Sequence, residues 1–226
     1  MSRKQRNPIQ IYRVDGKDSF VEILGGMIDK GKIQINFVEY DPKNGNKQTA
    51  IINTYIDLPL FMGWIEGILS GEFRSRIAEA KATKSFDGKA VSPYTSYFAS
   101  MGGVNEENVA KDFEKYKEQY PWLAEGQAIS RQFKVQVGTK YPYVLRGDVS
   151  PGKSDERGLI VPQGTAKKYI NIPISYDQIM ALAAVCKTFI NAYYNQLVSS
   201  FSDKIWTNQL DQYNFDYTKP PKSDKK

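Results

Sequence analysis

Two segments of the chain recur in the same order. Lys32-Ile33-Gln34-Ile35 returns as Lys134-Val135-Gln136-Val137. Tyr55-Ile56-Asp57-Leu58-Pro59-Leu60 returns as Tyr169-Ile170-Asn171-Ile172-Pro173-Ile174. Each of the longer matches leads into residues with helical periodicity. A chain built twice from one strand-and-helix unit is tightly constrained in architecture. Alternating strand sequences resemble one another by composition, so a four-residue match has little weight alone. The shared order, the internal proline and the helix that follows support duplication.

The first unit, residues 8–82, reads as strands followed by a helix. Residues 9–14 and 20–24 are strand candidates, with Asp15-Gly16 supplying the turn. Residues 32–40 alternate: Ile33, Ile35 and Phe37 take one face, and Lys32, Gln34 and Asn36 the other. Asp41-Pro42-Lys43-Asn44-Gly45-Asn46 is a turn, and residues 48–58 return as a long strand. A helix is expected from Pro59 to about residue 82, burying Phe61, Ile65, Ile68, Leu69, Phe73 and Ile77.

Residues 83–130 read as a connector. In it, 83–104 form a Gly-, Ser- and Lys-rich loop, and 105–120 a polar helix ended by Pro121. The second unit, 131–201, follows the plan of the first. Phe133, Val135 and Val137 face one way, and Lys134 and Gln136 the other. Strands are expected at 141–146, 158–161 and 167–174, the last with Ile170, Ile172 and Ile174 inward. Ser175 and Gln178 have capping-box spacing. The helix after them carries Ile179, Leu182, Ala183, Cys186, Phe189, Ile190, Tyr193 and Leu197 at helical spacing, which makes Cys186 a structural thiol. Residues 1–7 are a basic disordered terminus. Residues 202–226 comprise an aromatic and acidic stretch, 211–217, and a Pro/Lys tail expected to be disordered. The fold class is α+β: two repeated units, each a four-stranded antiparallel sheet plus a helix.

Composition excludes several kinds of chemistry. The 226 residues include no histidine and one cysteine. That rules out Cys/His zinc sites and the Ser-His-Asp and Cys-His nucleophile arrangements. No Gly-x-x-x-x-Gly-Lys-Ser/Thr loop and no paired acidic motif is present. The expectation is a binding protein with no catalytic residues, no metal and no cofactor. No apolar run approaches the roughly 20 residues that span a bilayer, no apolar segment follows the basic N-terminus, and the single cysteine suits a reducing compartment. A cytoplasmic protein without a membrane partner is expected.

The formal charge is +6, but it lies at the ends. Arg3, Lys4 and Arg6 supply +3, and residues 219–226 another +3, so the body between them is neutral. Any nucleic-acid site must then depend on where the internal cations lie. Binding of single strands needs cations for phosphates and flat rings under bases. The face opposite the helices carries Lys32, Gln34, Asn36 and Tyr40, with Asn53 and Tyr55 on the partner strand. In the second unit it carries Lys134, Gln136, Lys167, Tyr169 and Asn171, with Tyr141, Tyr143, Arg146 and Arg157 in neighbouring strands or loops. The same residue types also make an ordinary solvated sheet face.

Two consecutive units of about four strands and one helix resemble the whirly fold and the related coactivator class of single-stranded DNA-binding proteins. The resemblance covers about two thirds of the chain and rests on topology and spacing. Plant whirly proteins carry a Lys-Gly-Lys-Ala-Ala-Leu strand motif. Here Lys30-Gly31-Lys32 starts in the same way but continues Ile33-Gln34-Ile35, so the resemblance points to a distant phage, plasmid or bacterial type. It implies single-stranded DNA binding with low sequence specificity, by a homo-oligomer, a tetramer on the family's pattern, and adds Lys30 to the candidate contacts. Such a protein protects or organises single strands during replication, recombination or transfer.

Other functions fit the same residues. A scaffold protein of a phage or mobile element would use the polar sheet face as a protomer contact. RNA could replace DNA, although the Phe-rich strand of RNA-recognition motifs is absent. A small carboxylate enzyme would need a pocket of perturbed acids. The stretch 211–217 joins rings to carboxylates, suiting either autoinhibition of the binding face or recruitment of a protein partner.

Overall fold

The alternation that begins at Lys32 is realised as a ten-residue strand. The computed structural model describes residues 9–82, 96–138 and 140–213. Its first sheet is an antiparallel meander of β1 (Gln10–Asp15), β2 (Ser19–Leu24), β3 (Lys32–Asp41) and β4 (Lys47–Asp57). The hairpin between β3 and β4 closes where Asp41 accepts a hydrogen bond from the Lys43 amide and Gly45 takes a positive φ of 63°, a conformation glycine adopts without a Cβ penalty. β4 passes directly into α1 (Leu58–Leu69), with Pro59 in its first turn, and α2 (Glu72–Ala82) follows.

The second sheet has five strands: β5 (Ser96–Val104), β6 (Ala128–Val137), β7 (Tyr143–Ser154), β8 (Ile160–Pro162) and β9 (Lys168–Ile174). β8 and β9 both pair antiparallel with β7, β9 along residues 143–149 and β8 along 152–154. α3 (Glu106–Lys111) and α4 (Phe113–Gln119) lie in the β5–β6 connection, and α5 (Tyr176–Tyr213) follows β9. The expected capping box closes α5: the Gln178 amide donates to Ser175 Oγ at 3.2 Å, and the Ser175 amide to Gln178 Oε1 at 2.9 Å. The protein is thus α+β with two antiparallel sheets. Among the described residues no helix is long and apolar enough to cross a membrane. The chain divides into two units, Met1–Lys187 and Thr188–Lys226, the second containing the C-terminal part of α5.

Several expectations differ from what is found. The single helix expected over 105–120 is two, α3 and α4, divided at Asp112, and the second sheet has five strands where four were expected. Residues 96–104, expected as loop, form β5; its alternate positions Phe98, Ser100, Gly102 and Val104 include small residues, which mask the apolar period. Residues 83–95 lie outside the described part. The single helix expected over 59–82 is two, separated at Ser70-Gly71, where Gly71 has φ 81°. The strand at 141–146 instead runs from Tyr143 to Ser154, through a Gly- and Pro-containing stretch of low strand propensity, because neighbours on both edges hold it. The paired segments do not occupy equivalent places either. β3 is antiparallel to and adjacent to β4, whereas β7 separates β6 from β9. Their common feature is a strand that hands the chain to a helix, at β4–α1 and at β9–α5. The expected disorder of 1–7 and of the tail falls outside the described residues, and the C-terminal segment remains helical to Tyr213.

The two sheets meet through aromatic rings. Phe37 of β3 lies 6.0 Å from Phe133 of β6, and Phe133 lies 5.4 Å from Trp64 of α1 and 5.9 Å from Phe98 of β5. Phe37, Phe61 and Phe133 are fully buried. Trp64 completes this cluster although the expected α1 stripe omitted it. An ion pair adds to the contact between sheets: Lys168 Nζ of β9 reaches Glu39 Oε2 of β3 at 2.5 Å. Cys186 is buried on α5, and desolvation pushes its thiol up to about 12, so it stays protonated at neutral pH. Of the expected α5 stripe, Ile179, Leu182, Ala183 and Cys186 are buried, while Phe189 is 36% exposed.

The close approach of the sheets depends on Gly147 of β7. A Cβ there would lie 2.5 Å from Phe37 Cδ2. Overpacking of this kind costs roughly 1–3 kcal/mol, so Gly147→Ala should lower the urea midpoint with an unchanged m-value. An unaltered midpoint would mean that the sheets do not press together at this point. A second prediction concerns pH. Glu106 accepts hydrogen bonds from Ser154 Oγ at 2.5 Å and from the Ser154 amide at 2.7 Å, which hold its carboxyl below the ordinary value. A lowered folded-state pKa contributes stability above the unfolded-state pKa and loses it as pH falls through the folded value. The melting-temperature difference between the native chain and Glu106→Gln should therefore be present at neutral pH and shrink on acidification below about pH 4. A difference independent of pH would remove this carboxylate from the stability balance.

Candidate functional site

Register places the candidate residues on two sheet faces. On the outer face of the second sheet, Lys134 of β6 stands opposite Arg146 of β7, which stands opposite Asn171 of β9. The next row is Met101, Gln132, Asp148 and Tyr169. The alternation that turns Phe133, Leu145 and Ile170 into the core turns these residues outward. Asp148, 4% exposed, accepts from Lys134 Nζ at 2.6 Å and from Arg146 Nε at 2.5 Å. The Arg146 guanidinium carbon lies 4.1 Å from the Tyr169 ring centroid, and Tyr169 is 51% exposed. Gln136, nearby on β6, is buried and donates to Ser96 Oγ at 3.4 Å.

The outer face of the first sheet carries Lys32, Gln34, Asn36, Asn53 and Tyr55. Its polar groups are partly committed to one another. Gln34 Nε2 donates to Asn36 Oδ1, and Asn36 Nδ2 to Glu22 Oε1. Lys32 Nζ pairs with Asp57 at 2.8 Å. Tyr40, after a register shift in β3, donates from its hydroxyl to the Lys17 carbonyl at 3.4 Å. Tyr55 remains 39% exposed.

The other candidates are not brought together. Lys30, Tyr141, Arg157 and Lys167 are exposed in turns or loops outside the strands. Tyr143 is a correction. It is the first residue of β7 and belongs to the inward set with Leu145 and Val149, buried at 2% exposure and stacked 6.1 Å from Phe73. Burial pushes its hydroxyl pKa up, and it presents no ring to a ligand. Asp148 and Met101 were not anticipated. Asp148 is two residues from Arg146 on an alternating strand, so its shared face was readable once the strand was known to extend beyond 146.

Between β4 and β5, the facing edge strands of the two sheets, lies a cleft of about 370 Å³. Lys32, Asn53, Tyr55, Asp57, Met101, Gly102 and Arg131 are among its lining residues. Two polar atoms of these residues, Asn53 Oδ1 and Arg131 Nε, are buried without a hydrogen-bond partner among the described residues. Leaving such an atom unmet costs about 1–3 kcal/mol. The Arg131 guanidinium carbon lies 5.9 Å from the ring centroid of Tyr120, whose hydroxyl pKa is raised mainly by burial, against the opposing charge of Arg131. Among the described residues no group of His, Cys, Asp and Glu side chains is arranged to hold a metal ion.

No protein-family model matches this chain, no curated protein matches it, and no solved structure matches it.

Asp148 holds two cations in place on a partly covered face. Its removal leaves both unpaired, a loss between that of an exposed and that of a buried ion pair. Asp148→Ala should lower stability by roughly 1–3 kcal/mol in urea titration. A midpoint equal to that of the native chain would mean that the triad contributes nothing to the fold.

Proposed function

We propose that this protein binds single-stranded DNA without catalysis and with little base specificity, through the outer face of the second sheet. The observation that carries the reading is the Arg146–Tyr169 pair, a guanidinium over a half-exposed ring, with Lys134 and Asn171 flanking Arg146 in its row. Bases stack on such rings regardless of sequence, and guanidinium and ammonium groups track the phosphates. Asn171 is exposed and has both a donor and an acceptor to offer. Lys134 and Arg146 share one carboxylate, so the cluster carries one net positive charge. Phosphates must compete with Asp148 for it, which makes binding salt-sensitive. Two meanders that each end in a strand-to-helix passage support a whirly-like fold with this function. On this reading the protein acts in the cytoplasm as a homo-oligomer that protects or organises single strands in replication, recombination or transfer.

A second reading has its own support. Val198 and Phe201 on α5 are 66% and 62% exposed. Large apolar side chains on a helix surface suit self-assembly, as in a scaffold component of a phage or mobile element.

Fluorescence anisotropy with labelled single- and double-stranded oligonucleotides at two salt concentrations tests the proposal. Single strands should bind more tightly. The affinity should fall by roughly 0.7 log units per tenfold salt for each phosphate contacted. Asp148→Asn should tighten binding, because it releases both cations from their carboxylate. Equal affinity for duplex, or no binding at low salt, would sink the proposal. Concentration-dependent assembly in light scattering without oligonucleotide binding would put the scaffold reading in its place. A parallel titration with an RNA strand separates DNA from RNA.

A further inference from the structure

We infer that the cleft between β4 and β5 is a subsite for one unstacked nucleobase. Its ligand class rests on the single-strand reading; its location rests on the atoms of the cleft itself.

The polar atoms define what fits. Asn53 contributes a buried acceptor, Oδ1, and Arg131 a buried donor, Nε–H, both without partners among the described residues. A fully deprotonated inorganic anion such as sulfate can meet Arg131 but offers no proton to Asn53. An apolar ligand meets neither. Each of the four bases carries an N–H donor beside an acceptor on its pairing edge, so one base edge offers the complement of both atoms. The pairing edge is available only when the strand is not in a duplex, which agrees with the expected preference for single strands.

The remaining lining suits a flat ring. Tyr55 offers a half-exposed aromatic face and Met101 a thioether that is 57% exposed. Base–aromatic stacking is tolerant of sequence, and a thioether is soft and adaptable. Lys32, also in the lining, places an ammonium near the strand's phosphates, although Asp57 shares it. Gly102 leaves room. A Cβ there would meet nothing nearer than the Tyr55 carbonyl oxygen at 4.0 Å. Its neighbour Gly103 is different, since a Cβ would lie 1.9 Å from the Ile129 carbonyl oxygen. Gly102 can therefore be enlarged to fill the cleft, whereas Gly103 cannot be changed without disturbing β6.

The cleft also has a useful position. Tyr55 belongs to the outer face of the first sheet, and Met101 is in the row of Gln132, Asp148 and Tyr169 on the second. A base held here lies between the two faces on which the candidate contacts fall.

Two measurements on the full chain test the inference. In the first, thymidine and adenosine monophosphates are titrated into isotope-labelled protein and the amides of Gly102 and Gly103 are followed by NMR. Both nucleotides should shift them in the native chain and neither in Gly102→Leu. In the second, oligonucleotide affinity is compared with that of an abasic strand of equal length. The native chain should lose about tenfold when the bases are removed, and Gly102→Leu should bind both strands alike. If Gly102→Leu melts at a lower temperature, Asn53→Leu, which removes the acceptor, takes its place in both measurements. Nucleotide-induced shifts without oligonucleotide binding would overturn the single-strand function and leave the subsite standing. Oligonucleotide binding that Gly102→Leu leaves unchanged, with no shifts at Gly102 and Gly103, would overturn the subsite and leave the function standing. Shifts given by inorganic sulfate alone would also overturn it, because sulfate carries no proton at neutral pH and cannot donate in place of a base.

Discussion

The contact between Phe37 and Phe133 is the interaction on which the rest of the protein depends. It joins β3 to β6, and it forms because Gly147 of β7 has no Cβ to hold the ring away. Trp64 and Phe98 then surround Phe133, so α1 and β5 are drawn into the same core. Aromatic side chains bury more apolar area than any others, and four at one point give two short sheets a common interior.

That packing decides what remains outside. Alternation along a strand means that fixing Phe133, Leu145 and Ile170 inward also fixes Lys134, Arg146 and Asn171 outward. The outer face of the second sheet is therefore a consequence of its core. Its chemistry is a compromise. Asp148 neutralises part of the charge that would attract phosphates, but it also holds Arg146 where the guanidinium covers Tyr169. An arginine ordered in this way loses less conformational freedom on binding than a free one.

The first sheet follows different rules. Its outer groups bond to one another across strands, from Gln34 through Asn36 to Glu22, and a satisfied polar ladder has less capacity left for a ligand. Two of the unmet polar atoms belong to residues that line the cleft where the sheets' edges face each other, Asn53 and Arg131. An edge strand already leaves one row of backbone groups outside the sheet, so the junction of two edges is a natural place for unsatisfied groups.

Much of the architecture was legible in the order of the residues. Alternation gave the strands around Lys32, Gln48 and Lys167, and the Ser175–Gln178 spacing gave the start of α5. These are local signals, set by a few neighbours. β5 was not legible, because Ser100 and Gly102 stand where an apolar period was sought, and Ser100 is buried only through the pairing of β5 with β6. The extent of β7 was hidden for a similar reason: Gly147, Pro151 and Gly152 have little strand propensity and are held by the neighbouring strands. The likeness of 32–35 to 134–137 expresses a shared period of two, which many amphipathic strands have, and it could not reveal that β7 intervenes between β6 and β9.

The candidate site divides in the same way. The sequence alone determined which residues could bind a strand: lysines, tyrosines and amides on one side of alternating segments, with no histidine for metal or nucleophile chemistry. It also placed Lys134, Tyr169 and Asn171 on one face, since a strand period of two needs no tertiary information. Only the tertiary structure decided that Tyr143 is core, that Asp148 already binds two of the cations, and that Asn53 and Arg131, 78 residues apart by their numbers, line one cleft. Those outcomes depend on how the sheets pack and how strands distant in sequence fall into register, and a local pattern contains no information about either.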